Sequence, residues 1–414
     1  MKLLILGGSN SQLNAIIHAK QKGHTVIVSD YLENAPGKKL ADCSENTSTF
    51  DIEGNIQIGK KYNIDGVMTV GTDQPIYTAA RVAEALELPT FLDVDTAKAV
   101  TNKKVMKTCF TEYHIPTVKY KFIKADFDDQ DLAELRLPVV IKPLDSQGQR
   151  GVYKLDTIAD IRKNFQDVLS YSREEEILVE EFYESEEITV NGWVKNDEVF
   201  VLSIVDRISY NNYPHIGVCI GHHFPSKFMK DYYEEIVDIT EQIVKAFRIH
   251  EGPIYFQMLI GQDGIKVNEI AARIGGAYED EYLPRVTGVN ILDMVIDHSV
   301  QKEYDGSALG KFDLYRTEKK ISVEMYFARP CTIHGLNDMN RLLQLPGVLQ
   351  ARHNFSIGRQ IKEMTNATQR AGYMIIEGNS SAELQRNIAR AYDVLGIYDD
   401  SGKNMIMRFN QYTL

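Results

Sequence analysis

At 414 residues the chain exceeds what one ordinary hydrophobic core organises, and it suits two or three compact units. With 43% hydrophobic and 25% charged residues, and no apolar run near the roughly 20 residues of a membrane span, the composition excludes a helical membrane protein. A formal charge of -12 argues against a general grip on nucleic acid, which clustered Lys and Arg provide, and favours small-molecule work. Cys43, Cys109, Cys219 and Cys331 lie far apart with no C-x-x-C pair, so reduced thiols in a cytoplasmic protein are expected.

Leu3 to Leu6 reads as a first β-strand, because its apolar run stops at Gly7-Gly8 without a signal-peptide cleavage pattern. A helix follows with Leu13, Ile16 and Ile17 on one face, then a strand over Thr25 to Val28, which makes a βαβ unit. A strand at Gly66 to Val70 and a helix over Tyr77 to Leu86 extend this to a parallel sheet covered by helices, up to about residue 95. Asp30 stands where dinucleotide enzymes place a ribose-binding acid, but the preceding glycines lack the full G-x-G-x-x-G spacing. Beyond it, a helix from Thr101 to Tyr113 has Thr101 as its expected N-cap, and Pro116 lies past its end. Strands are predicted at Leu137 to Lys142, Ile177 to Val179 and, as a pair, Glu187 to Ile208. A helix over Tyr232 to Phe247 precedes two strands around Tyr255 to Ile260 and Ile265 to Ile270, and the tail holds a strand at Gly372 to Glu377 and a helix from Ala382 to Leu395.

Four groups of residues carry chemistry in this order. Lys103 stands early in a helix and Lys142 ends an apolar strand, and a point cation at such a place can offset phosphate charge. The loop Asp145 to Val152 holds Ser146, Gly148, Arg150 and Gly151, so its backbone can turn tightly and aim N–H groups at phosphate oxygens. Glu180, Glu181, Phe182 and then Glu187 suit an adenosine pocket, with carboxylates accepting from ribose hydroxyls. Gln257 and Glu269 fall on two strands joined by a short turn and can offer oxygens from one face to Mg2+, while Arg273 presents a planar fork of donors. Gly275 and Gly276 then permit close approach to the backbone.

Taken together, this series resembles the ATP-grasp superfamily over nearly the whole chain, and within it the carboxylate-amine ligases that include L-amino-acid (dipeptide) ligases. Biotin carboxylase and the purine-pathway ligases are cousins. The carrying motifs are Lys103 before Ile115-Pro116, Pro138 to Lys142, Ser146 to Gly151, Glu180-Glu181-Phe182, Glu187 in an E-x-x-V strand, and Glu269 to Gly276 in an E-x-x-x-R-x-G-G strand. Two departures are Gln257, where many relatives carry Glu or Asp, and Ala271, where many carry Asn.

The resemblance implies a mixed α/β and α+β fold: an N-terminal parallel-sheet domain over residues 1–98, a two-lobed ATP-grasp domain over 99–305 with its small lobe at about 115–185, and a C-terminal closing subdomain over 306–414. It implies ATP and Mg2+, or Mn2+ in its place, as cofactors. Lys103, Lys142, Ser146, Gly148, Arg150, Gly151, Glu180, Glu181, Phe182 and Glu187 are then the ATP residues, Glu269 and Gln257 the metal ligands, and Arg273 with Lys142 the catalytic groups. Arg207, His222, Arg273, Gly275 and Gly276 are the candidate substrate residues. The implied reaction forms an acyl phosphate with release of ADP and then an amide, on an amino acid or similar small carboxylate and an amine. No nucleic-acid or membrane partner is implied, and the ligase branch leaves room for a homodimer. Three other readings remain at this stage: a purine-pathway or carboxylase-like ligase acting on a ribotide, glycinamide or bicarbonate, a nucleotide-binding sensor without catalysis, which Gln257 and Ala271 motivate, and an NAD-dependent oxidoreductase with nicotinamide bound near Gly7, which the first βαβ unit suggests.

Overall fold

The computed structural model describes residues 1–301 and 303–409, so the last five positions of the expected C-terminal subdomain lie outside it. Two compact units share the chain: Met1–Val118 with Thr189–Ser203 and Tyr232–Asp313, and Lys119–Ile188 with Ile204–Asp231 and Leu314–Leu414.

In the first unit, β1 (Lys2–Leu6), α1 (Leu13–Gln21), β2 (Thr25–Ser29), β3 (Cys43–Glu45), α2 (Ile52–Tyr62), β4 (Gly66–Met68) and α3 (Gln74–Leu86) build a parallel sheet in the order β3-β2-β1-β4. Leu4, Leu6, Ile27, Val67 and Val82 form one core beneath it, as continuous apolar runs in a covered sheet require. The buried face of α1 is Ala15, Ile16 and Ala19, whereas Ile17, expected on that face, is exposed. After α4 (Val94–Ala99), α5 (Lys103–Glu112) starts one residue later than its sequence suggests. Asn102 is the cap, accepting from the N–H groups of Lys104 (3.0 Å) and Val105 (3.3 Å), because the Thr101 hydroxyl turns back to the Ala97 carbonyl.

The second unit opens with β5 (Tyr120–Ile123), β6 (Val139–Pro143), β7 (Tyr153–Leu155), α6 (Ile158–Ser170) and β8 (Ile177–Glu181). Strand β6 lies between β8 and β7 with antiparallel register, Val140 facing Glu180 and Ile141 facing Tyr153. One face of these strands packs with Ile161, Phe165 and Val168 of α6. Strands β9 (Ser185–Lys195) and β10 (Glu198–Asn212) each change unit along their length, and β11 (His215–Phe224) pairs back on β10.

The first unit resumes with α7 (Met229–Ala246), most of which belongs to it, then β12 (Glu251–Gly261), β13 (Gly264–Ala271), α8 (Glu279–Thr287) and α9 (Ile291–Ser299). The β12–β13 hairpin is antiparallel with Gln257 opposite Glu269 and Tyr255 opposite Ala271. In the second unit, β14 (Lys320–Tyr326) pairs with β11 and with the strand Gly372–Gly378, which the helix Ser381–Val394 covers. Among the described residues no helix is long and apolar enough to cross a membrane.

Candidate active site

The first unit holds the residues of the hairpin and of α5. Gln257 and Glu269 sit directly across from each other on β12 and β13, so both side chains leave one face of the ladder. Lys103, the first residue of α5, donates from Nζ to Glu269 Oε1 at 2.8 Å, and its side chain is only 8% exposed. Gln257 donates from Nε2 to the Tyr255 hydroxyl at 3.3 Å, while its Oε1 is buried and has no hydrogen-bond partner among the described residues.

Two residues past β13, Arg273 is buried and fixed on three sides. Its Nε donates to Asp73 Oδ1 at 2.7 Å, its Nη2 reaches the same oxygen, and its Nη1 donates to the Ile274 carbonyl at 3.0 Å. The guanidinium lies over the Tyr255 ring, 4.9 Å from its centre. Burial opposes its charge, but Asp73 and Tyr255 outweigh this and raise its pKa, so Arg273 is a permanent cation. The close approach that Gly275 and Gly276 allow is made by the protein itself: a Cβ at Gly275 would clash with the Glu279 carboxyl, and one at Gly276 would meet the Gly71 carbonyl oxygen at 2.8 Å.

The second unit brings together the other set. Lys142, at the end of β6, forms a buried ion pair with Glu180 on β8. Glu181 is taken up by Arg136, through its N–H at 3.0 Å and its Nε and Nη2 at 3.1 and 2.9 Å. Burial works against that carboxylate, yet the Arg136 bonds prevail and hold its pKa low. The Phe182 ring lies under Lys154 Nζ at 3.6 Å, and the Phe182 N–H donates to the Pro138 carbonyl.

The glycine-rich loop is anchored at its base by Asp145, which accepts from Ser172 Oγ and pairs with Arg173 at 2.8 Å. Gly148 (φ +69) and Gly151 (φ +70) take the left-handed backbone that glycine supplies, Ser146 is buried, and Arg150 Nε donates to the Gln147 carbonyl at 3.1 Å. Glu187, a candidate ATP residue, and Arg207, a candidate substrate residue, meet each other: Arg207 Nη1 donates to Glu187 Oε2 at 2.6 Å and to Ser209 Oγ at 2.7 Å. His222, opposite Arg207 in the β10–β11 register, is fully buried. Burial first, then Arg207 and Arg370, drive its pKa well below 6.5, so it is a neutral imidazole.

Sequence spacing had no means of finding Asp73 or Tyr255. Asp73 follows β4 and lies 200 positions from Arg273, although the carboxyl ends of parallel strands are where ligands and their holders gather. Tyr255 shares strand parity with Gln257, which puts it on the same face but does not by itself mark a role. Asp30 accepts from the Gly8 N–H at 2.8 Å, so this acid is engaged by the first loop of its own sheet.

Residues 135–281 match the family model of the ATP-grasp domain, and residues 325–398 match that of the L-amino acid ligase C-terminal domain 2. The chain is an ATP-grasp ligase. The solved L-amino acid ligase from Bacillus licheniformis is similar to the ligase in fold, with a TM-score of 0.81 and 20% identity over 96% of this chain and 98% of that one. Phosphoribosylglycinamide synthetase from Anaerococcus prevotii is similar with a TM-score of 0.76 and 20% identity over 96% and 99%. A curated relative, phosphoribosylamine–glycine ligase from Methanocella arvoryzae, is 27% identical over 338 residues, covering 74% of this chain and 76% of its own length.

ATP-grasp proteins use ATP and Mg2+. The ligase fits such a cation at the hairpin, because a carboxylate stands opposite a buried amide oxygen that has no partner among the described residues, and hard cations take oxygen ligands of both kinds.

Proposed function

We propose that the ligase joins a small carboxylate, an amino acid or a close analogue, to an amine through an acyl phosphate. The observation that carries this reading is the opposed pair Gln257 and Glu269, with Arg273 held two residues beyond β13. A carboxylate oxygen of the substrate attacks the γ-phosphorus of ATP, the bond to the bridging oxygen breaks, and ADP leaves. The amine then attacks the acyl carbon, the C–O bond to phosphate breaks, and the amine gives up a proton. No covalent bond to the protein forms, so positioning and charge carry the catalysis.

Lys142 and the loop from Ser146 to Gly151 are proposed to hold the phosphates, with Glu180, Glu181 and Phe182 along the nucleoside. Glu269 and Gln257 would hold Mg2+, which offsets charge on the phosphate oxygens. Lys103 keeps the Glu269 carboxylate in place, and Arg273 stabilises charge on the transferring group or the acyl phosphate. Glu187 and Arg207, joined in one pair, act as a unit on the substrate side, with His222 contributing a neutral ring.

Purified protein with MgATP and a matrix of amino acids, other carboxylates and amines tests this by phosphate release and product mass. Release is expected only when a carboxylate and an amine are both present, and Lys142→Ala and Glu269→Ala should each lower it by at least about 100-fold. Unchanged activity in both variants sinks the reading. A phosphorylated ribosylamine as acceptor is the second reading, supported by the likeness to phosphoribosylamine–glycine ligase, and it belongs in the same matrix. Release with glycine and that amine alone would decide for it.

A further inference from the structure

Tyr255 stands two residues before Gln257 on β12, and strand alternation puts both side chains on one face. Its ring is buried, at 7% exposure. Directly across the ladder is Ala271, whose methyl group leaves room for that ring. Two groups of the candidate active site rest on it. Gln257 Nε2 donates to the hydroxyl at 3.3 Å, and the Arg273 guanidinium lies 4.9 Å from the ring centre.

An amide has two unlike ends, and only the carbonyl end is a ligand for a hard cation, while its NH2 end repels one. In Gln257 the NH2 end is engaged by Tyr255, and Oε1 is the atom left buried without a partner among the described residues. A free amide would present either end; here the bond to the phenol oxygen occupies the NH2 end and leaves Oε1 for the cation.

We propose that Tyr255 is a positioning residue whose hydroxyl turns the Gln257 carbonyl toward the divalent cation and whose ring face carries Arg273 beside it. The proposal rests on the ligase reading, which puts the cation at Gln257 and Glu269. It accounts for a neutral amide where a carboxylate is the usual ligand: orientation by the phenol makes up for part of the missing charge. It also links metal and arginine, since one buried ring supports both.

Tyr255→Phe removes the hydroxyl and keeps the ring. Mn2+ titrated into the full-length protein with an equimolar amount of ADP, followed by the electron paramagnetic resonance signal of free Mn2+ against the same titration without protein, reads the cation site. The variant should bind Mn2+ roughly tenfold more weakly, as loss of an orienting partner does at metal ligands. The apparent KM for Mg2+ should rise in step, while kcat at saturating Mg2+ stays within about twofold.

Tyr255→Leu removes the ring as well, and it should also lower kcat at saturating Mg2+ by roughly tenfold through Arg273. In a Gln257→Ala background, adding Tyr255→Phe should change Mn2+ affinity no further, because the hydroxyl acts through the amide. Equal Mn2+ affinity in Tyr255→Phe and the natural protein overturns the proposal, as does an undiminished effect in the Gln257→Ala background. Failure of the ligase reading looks different: the natural protein would bind Mn2+ with ADP yet release no phosphate with any carboxylate and amine, and the titrations would still judge Tyr255. A natural protein that binds no Mn2+ with ADP overturns both.

Discussion

Glu279 is a residue whose protonation depends on the fold around it. Its carboxyl is fully buried at the start of α8, against Gly275, and accepts from the Ala277 N–H at 2.8 Å. Burial pushes its pKa up to about 7 from 4.5, opposed by its backbone bonds and by Arg273 and helped by Asp280. Because the folded pKa is raised, the folded state holds the proton more tightly, and stability falls as pH rises from the unfolded value toward the folded one. The loss is on the order of 3 kcal/mol once pH exceeds the folded value. Denaturant unfolding of Glu279→Gln beside the natural protein should therefore show the variant gaining relative stability, by up to about that amount, between pH 5 and pH 8. A stability difference that stays constant across those pH values contradicts the burial argument. At this scale Lys103, Lys142, Gln257, Glu269 and Arg273 stood out as candidates in the sequence, Lys103 early in a helix, Lys142 near the end of an apolar strand, and the other three on or just past two strands joined by a short turn. Asp73, Tyr255 and Glu279 did not, because their roles come from contacts that no local pattern encodes.

Secondary structure shows where the sequence speaks and where it is silent. The βαβ opening, the β12–β13 hairpin and the final strand and helix followed from apolar periodicity, because each buries one face or both. Helix ends were harder. Thr101 and Asn102 are both good caps by type, and the choice depends on which side chain finds a better partner: Thr101 bonds backward to Ala97 and leaves the cap to Asn102. That cap stands immediately before Lys103, so it sets the position from which the lysine reaches Glu269. Asn102→Ala should lower stability by about 1 kcal/mol and raise the KM for ATP, read by denaturant unfolding and steady-state kinetics. If both stay unchanged, α5 does not need its cap to place Lys103. The pairing of Glu187 with Arg207 was equally hidden, since the register that joins them appears only once β9 and β10 are folded.

At the scale of the molecule, composition and length announced several units, and the motif order announced a ligase. What no reading of consecutive segments contains is the interleaving, in which Thr189–Ser203 and Tyr232–Asp313 return to the unit built by the first 118 residues. Contacts between distant segments decide that. The N-terminal sheet order β3-β2-β1-β4 is of the same kind, although its parallel character was readable from strand and helix alternation. The central claim is an acyl phosphate made from a substrate carboxylate, and it is tested most directly by following one oxygen atom. With a substrate pair found by screening, the carboxylate is labelled with 18O, and the released phosphate is examined by mass spectrometry. The account predicts one 18O atom in each phosphate formed, transferred when the amine breaks the acyl C–O bond; phosphate without label would contradict it.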